Sequence, residues 1–361
     1  MEFFKRYISN TVAGSGSQFF FYNENEGETR SCTLYRVNRG GEYSYSFLIS
    51  NTLDSTFSDG SESHKNLVID EWTIEKMLVG VCPVCDQNSF EYPLEMKQVL
   101  FDGQSKKRVN PAELFCTDPV KLDAGEGEYI CVEIVFSGHM IPKHEESIVP
   151  SFVYRNGEWV ASKNHPFVSM VGIEAGAKQR IAFLGDSITQ GCGTPINAYE
   201  HWCAVYAGLL GNEYAYWNLG LGYGRADDAA SDGIWLYKAK QNDIVFVCYG
   251  VNDIIQGYDV DLTKKNLQTI VDKLRLAGAR VFIQTIPPFD YSCDKRGKWQ
   301  ELNDFIKSEL KGAEYIFDCV KCLSKSESET HMSKYAPHPN SEGCRVWAEA
   351  LYEATKDLID K

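Results

Sequence analysis

Along the first half of the chain, apolar residues come in short runs with a period of two. Tyr43, Tyr45, Phe47 and Ile49 alternate with polar neighbours, as side chains do on a strand with one buried face. Similar runs of β-branched and aromatic residues fall at 19–22, 99–101, 130–136, 151–154 and 167–173. Asp102-Gly103, Gly125-Glu126-Gly127 and Asn156-Gly157 punctuate them with the residues tight turns need. Such a series of short strands, with no long amphipathic helix among them, predicts a β-sandwich of jelly-roll kind over residues 1–175.

From about residue 178 the rhythm changes. Short apolar runs at 181–184, 214–219, 244–249, 281–286 and 315–318 read as buried strands. Between them lie helical patterns at 199–210, 225–240, 262–277 and 299–310, and a last one at 341–359. In 262–277, Leu267, Ile270, Val271 and Leu274 share one helical face. Strict alternation of strand and helix predicts an α/β domain over 176–361, with a five-stranded parallel sheet covered by helices on both faces. In such sheets functional groups collect beyond the carboxyl ends of the strands.

The strand ends carry the chemistry. The first gives Gly185-Asp186-Ser187, where a glycine turn would expose the serine hydroxyl and aim its amide at an oxyanion. The second gives Asn218-Leu219-Gly220-Leu221-Gly222-Tyr223-Gly224, whose glycines allow close backbone approach to a ligand. The third gives Gly250-Val251-Asn252-Asp253, and Pro337-His338-Pro339-Asn340 precedes the last helix. Taken singly, Ser187 reads better as a helix cap, Asn252-Asp253 could be a turn and His338 a surface histidine. Three such readings coinciding in this order is the less economical account. A serine, a histidine, a glycine loop and an amide at one rim are the parts of an acyl-transfer site.

These four blocks resemble the SGNH/GDSL hydrolases over roughly residues 180–360. The resemblance implies a flavodoxin-like domain with Ser187 as nucleophile and His338 as general acid/base. The implied oxyanion hole is the Ser187 amide, a glycine amide and the Asn252 side chain. Gly224 is favoured for the glycine because 225–230 reads as the following helix start, with Gly222 left open. The family usually has an aspartate three residues before the histidine, where this chain has Tyr335. That departure implies a Ser–His dyad whose ring is oriented by a carbonyl between Lys334 and Ala336, with Glu329 or Glu342 as the alternative acid. Asp186 and Asp253 are assigned structural roles. The 101–103, 117–122 and 130–136 segments, placed before the hydrolase, resemble family 2 carbohydrate esterases. That resemblance implies O-acetyl groups on oligosaccharides as substrate.

Charge and cysteine content narrow the field. A net charge of -14 disfavours nucleic acid and anionic membrane as partners. Twelve cysteines in 361 residues, several within strand-like runs such as Cys131 and Cys248, read as free structural thiols. Cys82-Pro83-Val84-Cys85 and Cys319-Val320-Lys321-Cys322 fall in different predicted domains, so no metal site is expected, nor any cofactor. With no signal-like or membrane-spanning run, the expected location is the cytoplasm. The sequence leaves the oligomeric state open. Two competing readings remain: a short-chain lipid or thioester hydrolase, and a non-catalytic sugar-binding protein on a hydrolase fold.

Overall fold

The computed structural model describes residues 1–14, 19–24, 27–54 and 66–361. They divide into two compact units, Met1–Asp54 with Asn66–Ala177, and Lys178–Lys361.

The first unit holds a five-stranded and a seven-stranded antiparallel sheet. In the larger one, Tyr129–Ser137 runs between Thr29–Arg36 and Trp72–Cys82. In the smaller one, Gly41–Ser50 buries Tyr45, Phe47 and Ile49, but Ser46, Leu48 and Ser50 between them are buried too, so this half of the strand is covered on both faces rather than one. Asn156 and Gly157, at φ +52° and +91°, close a two-residue hairpin between Ser151–Arg155 and Glu158–Ala161. The helix Phe3–Arg6 was invisible in the sequence because four residues are too few to show a period. Cys32, Cys82, Cys85 and Cys131 pack with Leu34, Tyr129 and Phe152 in one apolar cluster. The Sγ atoms of Cys32 and Cys131 lie 3.0 Å apart. Burial pushes the Cys82 thiol up to about 11 and that of Cys85 to about 12, so both stay protonated and pack as small hydrophobes.

The second unit carries a parallel sheet of β1 (Arg180–Gly185), β2 (Ala215–Gly220), β3 (Ile244–Cys248), β4 (Arg280–Gln284) and β5 (Tyr315–Phe317). Their order is β2-β1-β3-β4-β5, so the connection reverses direction between β1 and its neighbours. Short helices follow three strand ends: α1 (Ser187–Gln190) after β1, α3 (Ala226–Ala230) after β2, and α5 (Val251–Ile255) after β3. The longer helices are α2 (Trp202–Leu210), α6 (Val260–Leu276), α7 (Cys293–Ser308) and α9 (Ser341–Ile359), with the shorter α4 (Ile234–Ala239) and α8 (Val320–Leu323) between them. Trp202 of α2 stacks on Trp347 of α9 with ring centroids 5.0 Å apart, and Phe183 of β1 meets Trp202 edge-on. α6 buries Leu267, Ile270, Val271 and Leu274, the face its periodicity marks. The single helix expected over 225–240 is instead two, α3 and α4. Asp232 at φ +64° and the extended Gly233 break it. Among the described residues no helix is long and apolar enough to cross a membrane.

Candidate active site

Ser187 opens α1 directly beyond β1, and Asp186 caps that helix by accepting the Ile188 amide at 2.9 Å. The glycine before them is needed for space. A Cβ on Gly185 would come within 2.7 Å of the Cys248 carbonyl oxygen and into the Thr189 side chain. Its φ is not among the positive ones, so the expected sharp glycine turn is not what happens there. Close packing against Thr189 and the β3 carbonyl is.

His338 lies in the loop before α9. Asn340 starts that helix by accepting the Gly343 amide at 3.0 Å, and its own amide donates to the Tyr335 carbonyl at 3.0 Å. This folds 335–340 into a compact turn with Ala336 at φ +75°. The turn brings His338 Nε2 to 2.9 Å from Ser187 Oγ, across 151 residues of sequence. Phe289 meets the imidazole edge-on at 5.2 Å between ring centroids. Burial lowers the His338 pKa from its ordinary value, and among the described residues no carboxylate acts on it. Glu329 is engaged by Lys325 at 3.1 Å on the surface, and Glu342 is exposed. Neither proposed acid therefore perturbs the imidazole. Tyr335 turns its side chain towards the α9 backbone, where a Cβ on Gly343 would meet its Cβ at 2.5 Å.

Asn252 lies in α5 rather than in a turn, 8% exposed, and Ser187 is 7% exposed. The Asn252 amide donates to the Gly224 carbonyl at 3.0 Å, which ties the third strand end to the second. Gly224 thus meets Asn252 through its oxygen. Its N–H donates to the Leu221 carbonyl at 3.1 Å in a turn with Tyr223 at φ +56°. Of the two glycines the sequence left open, Gly222 is the one whose amide is not committed to that turn.

A buried charge cluster backs this loop. Arg225 caps α3 and pairs with Asp228 (Nη2 to Oδ1 2.8 Å, Nε to Oδ2 3.0 Å), both essentially inaccessible. Its guanidinium lies 4.8 Å from the Tyr258 ring centroid. Asp253 accepts the Ala226 amide at 3.1 Å. Loss of hydration pushes Asp253 up to about 7, with Asp228 adding to the rise and the Ala226 amide and Arg225 opposing it.

Two contributors escaped the sequence reading. Gly193 sits at φ +101° against the histidine loop, where a Cβ would lie 2.7 Å from the His338 carbonyl oxygen. The other is Phe289, in the loop beyond β4. The strand-end rule that found Ser187 and Asn252 pointed at that loop too, but its Pro287-Pro288-Phe289 carries no polar chemistry to draw attention.

Residues 183–346 match the model of the GDSL-like Lipase/Acylhydrolase family. The C-terminal unit is a GDSL-like lipase/acylhydrolase domain. It belongs to a family of ester hydrolases. Among solved structures, the chain is similar to a member of the lipolytic protein G-D-S-L family from Veillonella parvula, at 21% identity and TM-score 0.39, covering 50% of this chain and 99% of that one. It is similar to the psychrotrophic esterase EstA from a Pseudoalteromonas species at 18% identity and TM-score 0.40, covering 50% and 99%. It is also similar to the acetyl xylan esterase AlAXEase at 20% identity and TM-score 0.40, covering 49% and 99%. No curated protein matches the chain.

Proposed function

We propose that the GDSL-like domain is a serine esterase that removes O-acetyl groups from oligosaccharides, with Ser187 as nucleophile and His338 as general acid/base. The 2.9 Å contact between Ser187 Oγ and His338 Nε2, at the carboxyl rim of the parallel sheet, carries this reading.

Ser187 Oγ attacks the acetyl carbonyl carbon as its proton passes to His338 Nε2. Because burial keeps the imidazole neutral at pH 7, it is ready to accept that proton. Negative charge develops on the carbonyl oxygen, and the Ser187 amide, the Asn252 side chain and a glycine amide of the 218–225 loop stabilise it. Gly222 suits that last role better than Gly224, whose N–H is spent on Leu221. Collapse of the tetrahedral intermediate expels the sugar oxygen, which takes the proton from His338. Water then attacks the acetyl-serine by the same steps in reverse order. Among the described residues no carboxylate acts on the ring, so on this reading the site works as a Ser–His dyad, with Phe289 against the imidazole.

Acetyl removal is favoured over release of long acyl chains because the exposed large apolar side chains of this unit are scattered. Leu209 is on α2, while Leu262 and Leu276 lie near opposite ends of α6. The β-strand unit ahead of the hydrolase, the order seen in carbohydrate-directed esterases, supports a saccharide substrate. The test is twofold. Purified protein should hydrolyse an aryl acetate, and mass spectrometry on a panel of acetylated oligosaccharides should show loss of acetyl groups. Hydrolysis of aryl acetates without any acetyl release from the panel would leave the esterase and remove the carbohydrate. Sugar binding with no hydrolysis of any ester would point to the non-catalytic alternative.

A further inference from the structure

A cleft in the catalytic unit lies apart from Ser187 and His338, neither of which lines it. It has a volume of about 700 Å³ between α7 and the 318–330 segment, within the size range of ligand sites. We propose that this cleft binds the saccharide chain of the substrate at a distance from the ester being cleaved, an inference that rests on the carbohydrate reading above.

The first argument is position. On one wall, Asn303 and Trp299 grip the backbone of Ile286. Asn303 Oδ1 accepts the Ile286 amide at 2.7 Å, while Asn303 Nδ2 and Trp299 Nε1 donate to its carbonyl at 3.1 and 2.9 Å. Ile286 leads into Pro287-Pro288-Phe289, and Phe289 lies against the His338 ring. The segment forming the opposite wall returns to the same loop. Ser333 donates from its hydroxyl to the Pro288 carbonyl at 3.0 Å and from its amide to Asp290 at 2.7 Å. The cleft and the Ser–His pair therefore flank one short loop. In this proposal a chain-like ligand held in the cleft would extend past that loop towards Ser187.

The second argument is chemistry. The walls present Gln300, Asp304, Lys307, Asp318, Lys321 and Glu327 together with hydroxyls of the 324–330 loop. Three carboxylates face two ammonium groups, and Lys307 lies 3.3 Å from Asp304. This near balance of charge selects against a polyanion and gives no premium to a strongly basic ligand. What it offers is a dense set of paired donors and acceptors, which is the complement of a neutral chain of vicinal hydroxyls. Trp299 and Val320 add apolar surface to the polar side chains of the lining.

The experiment compares the parent protein with the triple variant Gln300→Ala/Asp304→Ala/Glu327→Ala. All three side chains are exposed, and an unchanged Tm would confirm that the fold is intact. Calorimetric titration with non-acetylated xylohexaose, mannohexaose and cellohexaose should show binding of at least one by the parent. The variant should bind it about tenfold or more weakly, as expected for several lost hydrogen bonds. KM for the acetylated form of that oligosaccharide should rise by a similar factor, with hydrolysis of an aryl acetate unchanged. If the parent binds none of the three, or the variant binds as the parent does, the cleft is not a saccharide site, whatever the esterase assays show. Binding lost in the variant, with no acetyl release by either protein, would keep the cleft and sink the deacetylase reading.

Discussion

Ser187 and His338 each contribute one polar atom to a single contact, and neither has a function there without the other. Ser187→Ala and His338→Ala should each lower kcat by about 10⁴-fold or more, and the double variant should be little worse than either alone. Steady-state kinetics on an aryl acetate, with circular dichroism to confirm folding, would check this; near-normal turnover in His338→Ala would hand the base role to another residue. Asn252→Ala should reduce kcat by about 10²–10³ while KM moves little, because its amide strengthens its bond only as charge develops on the oxygen. The imidazole also sets a pH limb. Its pKa is lowered by burial, and the protonated ring cannot accept the Ser187 proton. Activity should therefore be full above the ordinary histidine value of about 6.5 and fall as pH drops through a midpoint below it. A midpoint above that value in the profile of kcat/KM would reveal a carboxylate partner raising the pKa, and the dyad would have to become a triad.

Elements hold those residues in register through loops that tolerate little added bulk. Thr189 of α1 and the Cys248 carbonyl of β3 leave Gly185 no room for a side chain, and α1 begins at once under the Asp186 cap. The glycine loop beyond β2 is fixed from both sides, by the turn onto Leu221 and by the Asn252 amide on Gly224. Behind it the Arg225–Asp228 pair is buried, so removing either partner alone would strand a charge and loosen the loop with it. Gly193 makes a contact of the same kind against the histidine loop. Gly193→Ala would strain a φ of +101° and press a methyl on the His338 carbonyl. It should lower kcat by at least about tenfold by displacing the base, with little change in the far-ultraviolet spectrum. A variant with unchanged kcat would show that the histidine loop shifts without cost and that Gly193 matters only for packing.

Across the whole molecule, a net charge of -14 acts on every substrate that approaches. A neutral acetyl ester should show a kcat/KM nearly independent of salt. An ester carrying negative charge should gain as ionic strength rises and repulsion is screened, a trend that stopped-flow or steady-state assays between low and physiological salt would resolve. The same scale shows what was legible beforehand. The change from period-two runs to alternating strands and helices marked two kinds of architecture, because burial on one face or two leaves a periodic trace in any chain. Ser187 and Asn252 stood out because polar residues just beyond buried parallel strands have few reasons to be there, and His338 because it sits before the last helix. The single helix expected over 225–240 failed because Asp232 in the left-handed region is a tertiary outcome, as is the split it produces. Periodicity was equally silent about which cysteines share a cluster, which glycine amide is spent on a turn, and how Phe289 and Gly193 frame the histidine. By itself, then, the sequence determined the order of the elements and the chemistry at their ends, since both follow from local pattern. Only the tertiary structure decided which of those ends touch, since a 2.9 Å contact across 151 residues depends on how the sheet and its loops pack.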